Sequence, residues 1–324
     1  MSAGKIVVTT CVYDQADILP DFLQWCLDLG VDLVVAQDMG STDGGQDVLQ
    51  RFASTGKVTW FTIPDRDTKK YNSGDALAAL ARDKYQAGWI ILCDVDEFLC
   101  PVDADLASIL RDAESDGYSM ISVPCHNMTG PIMTPGQRAT ETLTLRIDKP
   151  VVETAAQQIS GELPVPYIFI RHPPHTIVRA SAFRGYMPGA HEVEGSWGKN
   201  GDIGRLRFLH YPLRGYDKFE QKIDNTAAWF ANNQHLEDWW GWHWRRWIRL
   251  RDAGRLREEY ESQFAGPVRA QELVQERTCT VDETVAGWRR QRWSRPGFGA
   301  TPKQEAHNTP LGIGALTGQD RTDI

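Results

Sequence analysis

Trp89-Ile90-Ile91-Leu92-Cys93-Asp94-Val95-Asp96-Glu97-Phe98 is the stretch that decides how this chain reads. Five mostly apolar residues, Trp89–Cys93, form a strand that suits burial on both faces. Acids follow at once. In an extended chain positions i and i+2 project to the same side, roughly 6–7 Å apart. Asp94 and Asp96 thus share one face at the carboxyl end of that strand. Two carboxylates placed there repel each other unless a divalent cation joins them. Mg²⁺ and Mn²⁺ take oxygen ligands and bridge carboxylates to phosphate oxygens. The spacing points to metal or phosphate chemistry.

Upstream, strands and helices alternate. Lys5–Cys11 reads as a buried strand. Ile18, Leu19, Phe22, Leu23, Cys26 and Leu27 recur at helical spacing, with Asp17 placed to cap the start and Gly30 to close the end. Leu33–Ala36 is a second strand. A helix follows through Val48, Leu49 and Phe52, then a strand at Val58–Ile63. A longer helix runs from about Ser73 through Leu77, Leu80, Ala81 and Tyr85. Beyond the acidic motif, Asp103–Asp116 reads as a helix and Tyr118–Val123 as a strand. This alternation predicts parallel βαβ units, whose ligands lie beyond the carboxyl ends of the strands. The α/β fold class rests on it.

Two further features fall at such ends. Asp38-Met39-Gly40-Ser41-Thr42-Asp43-Gly44-Gly45 follows the second strand. There an Asp can accept from a ribose hydroxyl or a base, while the Ser/Thr/Asp/Gly cluster turns the chain and caps a helix. Thr10 and Asp14 end the first strand. Together these fit a nucleoside diphosphate laid across the strand ends. Neither GxGxxG nor GxxxxGK[ST] is present.

Composition narrows the classes. The chain has 324 residues, with 41% hydrophobic and 24% charged, which is ordinary globular usage. It carries 35 Lys and Arg against 43 Asp and Glu, net −8, which argues against a nucleic-acid coat. The imbalance is local: residues 1–116 hold 9 basic and 20 acidic residues, so an anionic ligand there needs a cation. Six cysteines show no CxxC and suit a reducing compartment. Met1–Tyr13 lacks a leader-like cleavage site, and no run reaches the roughly 20 apolar residues that span a bilayer. A cytoplasmic location is expected.

The second half has another texture. Residues 126–215 are rich in Pro, Gly and His, with β-like pieces at Thr142–Ile147, Tyr167–Arg171 and Leu206–His210. Residues 216–298 are helical and aromatic, and the stretch beyond reads as a flexible tail. The expected division is 1–125 for the nucleotide-sugar half, 126–227 for the acceptor- and metal-completing half, 228–298 for a helical Trp/Arg-rich extension and 299–324 for the tail.

At this point the chain resembles the family 2-type glycosyltransferases. The likeness rests on the first strand with its Asp14 turn, on Asp38-x-Gly-Ser-Thr-Asp-Gly, and on "WIILCDVDEF". It is strongest to the branch whose acidic motif reads "DvDEF". Ile177-Val178-Arg179, Gly189-Ala190-His191 and His210-Tyr211-Pro212-Leu213-Arg214, running on to Phe219 and Lys222, resemble that branch's second half. Where the branch shows Asn-Glu, this chain has Tyr13-Asp14. The resemblance covers roughly residues 5–225 and implies a GT-A fold, a nucleotide-diphosphate sugar donor and a Mn²⁺ or Mg²⁺ ion. It also implies roles. Asp38 holds the nucleoside, Asp94 the ribose or sugar side of the donor, and Asp94 and Asp96 the metal. Lys222 and Arg214 reach the phosphates.

His191 is the candidate third metal ligand, with His210, His172 and His175 as alternatives. Inversion requires a base for the acceptor hydroxyl. Glu192, Glu194 and Glu97 are the contenders. The expected activity is metal-dependent, inverting transfer to a glycan, lipid-linked or other hydroxyl acceptor, in polysaccharide or glycolipid synthesis. Two rivals stand beside it, a nucleotidyltransferase of sugar phosphates and a non-catalytic nucleotide-sugar or glycan binding module. Val12-Tyr13-Asp14-Gln15 stands where the former usually has a basic Gly-rich loop. Half of the twelve tryptophans fall in Trp229–Trp247, followed by a run of arginines. That segment reads first as a helical core layer with an arginine face. Its other readings are a sugar-stacking wall and a peripheral membrane contact through Trp239–Arg257 on the inner membrane face. The sequence leaves the oligomeric state open.

Overall fold

The computed structural model describes residues 4–63, 73–187, 192–194 and 198–293. In chain order the strands are β1 (Lys5–Val12), β2 (Leu33–Asp38), β3 (Val58–Thr62), β4 (Ala87–Leu92), β5 (Glu97–Pro101), β6 (Tyr118–Val123), β7 (Cys125–Thr129), β8 (Leu145–Ile147), β9 (His175–Arg179), β10 (Lys199–Gly201), β11 (Leu206–His210) and β12 (Cys279–Val281). The helices used below are α1 (Leu19–Asp28), α2 (Gly45–Ala53), α3 (Ser73–Asp83), α4 (Leu106–Ser115), α5 (Ala139–Thr142), α6 (Ala155–Ser160), α7 (Tyr216–Asn232), α8 (Trp242–Asp252), α9 (Leu256–Ser262), α10 (Pro267–Gln275) and α11 (Thr284–Trp293).

Among the described residues the strands form two sheets. The first has the order β10-β6-β9-β4-β1-β2-β3. Its β4, β1, β2 and β3 run parallel, with helices between them in sequence, as the alternation predicts. β9 enters antiparallel between β4 and β6. The second sheet has the order β12-β8-β7-β11-β5. The expected α/β fold with a parallel-rich sheet, flanking helices and a helical C-terminal part is what the chain adopts.

The chain changes sheets repeatedly, and two of these crossings matter here. From β4 it passes through Cys93–Asp96 into β5. From β6 it passes through Pro124 into β7. Proline has no N–H to give a ladder, so it suits a point where one strand must end. Its carbonyl still accepts from Phe208 N at 2.8 Å, tying the crossing to β11. β5 was missed in the sequence because it begins on Glu97, inside the acidic motif.

Phe98 locks the second sheet onto the first layer. It is fully buried, and its ring meets Phe22 and Trp25 of α1 and Tyr211 edge to face, at 6.3, 6.0 and 5.5 Å. Edge-to-face pairs of this kind stabilise beyond their buried area. Trp25 Nε1 also donates to the Leu99 carbonyl at 2.8 Å. The apolar stripe of α1 (Leu19, Phe22, Leu23, Cys26) is buried as its spacing predicts.

Some local expectations are corrected. Asp17 does not cap α1: the cap residue is Ile18, and Asp17 is drawn off by Arg214. Tyr167–Arg171 is no strand. Pro166 precedes a 3₁₀ turn at Tyr167–Phe169, whose Tyr167 packs on Trp247. Only Leu145–Ile147 of the piece from Thr142 is extended, since Ala139–Thr142 coils first. The segment after residue 228 also contributes β12 to the second sheet. Its α11 returns to α1, where Trp288 meets Trp25 at 5.1 Å. No helix among the described residues is long and apolar enough to cross a membrane.

Candidate active site

β1, β2 and β4 end side by side, and their following turns are sewn together. Asp14 adopts a left-handed backbone (φ 51°), and its Oδ1 accepts from Thr42 N at 2.7 Å. Its own N–H donates to Ser41 Oγ at 3.1 Å. Asp38 is buried at the end of β2 and accepts from Gln46 Nε2 at 2.7 Å and from the N–H groups of Gly40 and Ser41. Gly40 takes φ +87°, which a side chain would resist. Asp38 thus shapes the turn that the sequence marks. Thr10 is buried in β1, two residues upstream of Val12.

The acidic turn after β4 splits into three environments. Asp94 is exposed, while Asp96 and Glu97 are each 1% exposed. Asp96 Oδ2 accepts from Arg214 Nη1 at 2.6 Å and lies 3.5 Å from Lys222 Nζ. Arg214 is held on its other edge by Asp17, at 2.8 Å. Burial raises Asp96, but Lys222 and Arg214 outweigh it and hold the carboxyl well below the ordinary range. Glu97 Oε2 accepts from Asp94 N at 2.8 Å and Oε1 meets His175 Nε2 at 2.7 Å. Burial again raises it, and His175 overrides this, leaving it at about 2. Packing around Asp94 and the charges of Glu97 and Asp96 push Asp94 up to about 7. Its side chain reaches solvent, so water screens part of that repulsion.

β11 and α7 supply the basic side. His210 ends β11, buried against Asp96, with Nε2 3.9 Å from Asp96 Oδ1. Its Nδ1 lies 2.8 Å from Asn127 Oδ1. The Asn127 amide nitrogen donates to the Ile168 and Ile170 carbonyls, so Oδ1 is an acceptor and His210 Nδ1 carries the proton. Burial keeps this ring neutral, down to about 3. Nε2 is therefore a lone-pair nitrogen facing a carboxylate. Two acceptors face each other there, and a cation between them resolves the conflict. The oxygen and imidazole set fits Mn²⁺ or Mg²⁺. On α7, Lys218 and Lys222 lie one turn apart. Lys218 Nζ meets Asp43 Oδ2 at 3.0 Å and Lys222 stands over the Trp244 ring at 5.1 Å.

Of the proposed bases, Glu97 is fully engaged and buried. Glu192 and Glu194 are exposed in a short hairpin. Its strands meet through Tyr186 and Val193, and Tyr186 N donates to Asp75 Oδ1 at the start of α3. That helix start lies at the carboxyl edge of the sheet. His191 lies outside the described residues, as does the tail at 299–324. The structure thus gathers Asp94, Asp96, Glu97, His210, Arg214 and Lys222 in one cluster, with Asp14 and Asp38 in the adjoining turns.

Sequence reasoning missed Asn127, Asp17 and Lys218. Nothing local marks Asn127; only the fold brings it to His210. The aromatic segment is mostly half-buried. Trp247 is buried against Phe219 and Tyr167, while Trp239 is 52% exposed. Its arginines are partnered: Arg246 with Glu259, Arg249 with the Ser160 carbonyl, Arg251 with Asp224, and Arg257 over Tyr216.

Residues 7–143 match the model of glycosyltransferase family 92. No protein of curated function matches the chain significantly. Solved structures similar to it include the S. aureus TarS fragment 1–349 in complex with UDP. That match has 13% identity and TM-score 0.31, over 55% of this chain and 47% of that one. The same fragment in another crystal structure matches at 11% identity and TM-score 0.36, over 89% and 92% of the two chains. Glucosyl-3-phosphoglycerate synthase from Mycobacterium tuberculosis, in complex with Mn²⁺, UDP and glucosyl-3-phosphoglycerate, matches at 14% identity and TM-score 0.30, over 56% and 59%. The chain spans about half the length of the first of these. The family 92 match runs from within β1 to the end of α5 and takes in the acidic turn.

Proposed function

We propose that the chain transfers a glycosyl group from a nucleoside-diphosphate sugar to a hydroxyl acceptor, with inversion and with Mn²⁺ or Mg²⁺. The observation that carries this reading is the facing pair of acceptors, Asp96 Oδ1 and His210 Nε2, 3.9 Å apart at the strand ends. Asp96 and His210 would hold the ion, with Asp94 open toward the donor. Bound there, the cation neutralises charge that builds on the leaving diphosphate.

The chain's own groups do the rest. Lys222, whose Nζ lies 3.5 Å from Asp96 Oδ2 and 5.1 Å from the Trp244 ring centroid, offers an ammonium to the phosphates. Arg214 keeps Asp96 ionised and in place. Asp38 and Asp14 act by shaping the two turns that form the floor of the donor pocket. The acceptor oxygen bonds to the anomeric carbon as the bond from that carbon to the phosphate oxygen breaks. The acceptor proton goes to Glu192, with Glu194 as the second choice, since both acids are exposed and accessible to an acceptor. The acceptor is a carbohydrate or lipid-linked hydroxyl.

The test is release of nucleoside diphosphate from a panel of nucleotide sugars, with and without Mn²⁺. Turnover should need the metal. Undiminished turnover in excess chelator overturns the metal reading, and no release from any donor overturns the transfer reading.

A further inference from the structure

Where the chain changes sheets, a carboxylate, a thiol and two imidazoles converge. Glu97 opens β5, Cys125 opens β7 and His175 opens β9, while His172 lies on the loop just before β9. One ligand atom from each lies within 4.8 Å of all the others. Both imidazoles turn Nε2 toward the same carboxylate oxygen. His175 lies 2.7 Å and His172 3.9 Å from Glu97 Oε1. The two rings are nearly parallel, at 23°, with centroids 5.6 Å apart. His172 Nδ1 donates to the Pro173 carbonyl at 2.9 Å, which makes Nε2 the lone-pair nitrogen of the neutral ring. Glu97, Cys125 and His175 are buried and His172 is half-buried.

We propose that Glu97, Cys125, His172 and His175 bind one zinc-class ion that staples the two sheets beside the acidic turn. Ligand chemistry separates this site from the one at Asp96 and His210. A thiolate with two imidazoles suits Zn²⁺ and disfavours Mg²⁺, whereas the donor site is rich in oxygen. Four protein ligands complete a tetrahedron, the closed form typical of structural sites. With bonds of about 2.0–2.3 Å, tetrahedral ligand atoms lie about 3.3–3.7 Å apart. The separations here straddle that range. Charge also balances, since one thiolate and one carboxylate neutralise a divalent ion, so the loaded site buries no net charge.

The topology gives the ion a role. β9 belongs to the first sheet and β5 and β7 to the second. Each of β5 and β7 begins immediately after a crossing. An ion at this seam fixes where Asp94 and Asp96 sit, through Glu97, without touching the donor. The inference stands independently of the transfer reading.

The test uses the full chain. Protein dialysed against metal-free buffer should retain about one zinc per chain by elemental analysis, matching one closed site. Replacement by Co²⁺ should give a near-ultraviolet thiolate-to-metal band. Cys125→Ser should abolish the band, and Asp96→Asn should leave it. A strong chelator should lower the thermal midpoint, restored by Zn²⁺ and not by Mg²⁺. If Cys125→Ser does not fold, His172→Ala on the half-buried loop carries the test by losing zinc. The absence of a thiolate band with bound Co²⁺, or wild-type zinc content in a folded Cys125→Ser or His172→Ala protein, overturns the proposal.

Discussion

The turn at Asp94–Glu97 and the hairpin at Gly185–Glu194 both present acids at the carboxyl edge of the first sheet, but in opposite physical states. In the turn, Asp96 and Glu97 are buried and ionised, held by Arg214 and Lys222 and by His175. In the hairpin, Glu192 and Glu194 are exposed. A carboxylate held far below its usual range by buried cations is a weak proton acceptor, though well suited to hold a cation. An exposed carboxylate is accessible to the proton of an arriving hydroxyl. In the proposed mechanism the difference divides electrostatic work from proton work, and four measurements test it.

The largest effect is expected at Asp96. Asp96→Asn keeps the shape, removes the charge facing His210 and leaves Arg214 without its second partner. Turnover should fall by about a thousandfold, the order of a lost metal contact worth about 4 kcal/mol. Mn²⁺ affinity, read by calorimetry, should weaken with it. Retention of metal-dependent turnover would move the ion elsewhere.

Next comes Glu192. Glu192→Gln should lower kcat by about a hundredfold and leave donor affinity nearly unchanged, because a base acts in the transition state. Because the side chain is exposed, the thermal midpoint should hardly move. If kcat survives there but falls in Glu194→Gln, the hairpin keeps its role and the residue changes.

A smaller effect sharpens the turn itself. Asp94 is raised to about 7 in the folded chain, against an unfolded value near 4. In metal-free protein the folded state therefore holds this proton more tightly, and its contribution to stability falls as pH rises through that interval. Asp94→Asn should raise the metal-free thermal midpoint at pH 8 and leave it nearly unchanged at pH 4. Glu97 has the opposite sign. Its carboxyl is held at about 2, so its stabilisation is present above the unfolded value and lost as pH falls toward 2. An Asp94→Asn protein less stable at pH 8 than the parent would contradict the crowding.

The smallest effect lies outside both regions. Trp239 is the exposed member of the aromatic segment, so Trp239→Ala should change stability by no more than about 0.5 kcal/mol. The arginines that follow are engaged within the chain. Flotation with anionic vesicles should accordingly recover little protein even at low salt. Strong, salt-sensitive retention that Trp239→Ala abolishes would restore a membrane-facing role.

Much of this molecule was legible in its sequence. The alternation of apolar strands with helices at three- and four-residue spacing predicts the parallel core from β1 to β4. The apolar run into Asp94-Val95-Asp96 places acids at a strand end, because backbone periodicity is a local property. Asp38 and Asp14 were marked as important. Asp38 closes its own turn through Gly40, Ser41 and Gln46, whereas Asp14 reaches Thr42 in the neighbouring turn, 28 residues on, a tie that local sequence does not show.

What tertiary structure alone settled are partnerships. Asp17 reads as a helix cap and becomes the outer clamp on Arg214, 197 residues away. Glu97 reads as a candidate base and becomes a buried partner of His175. Asn127 carries no sequence signal, yet it sets which nitrogen of His210 bears the proton. β5 escaped notice because its partner β11 begins more than a hundred residues later. Burial and charge pairing depend on which distant segments meet. Hydrophobic periodicity reports only the face a residue takes on its own element, not what the second sheet brings against it.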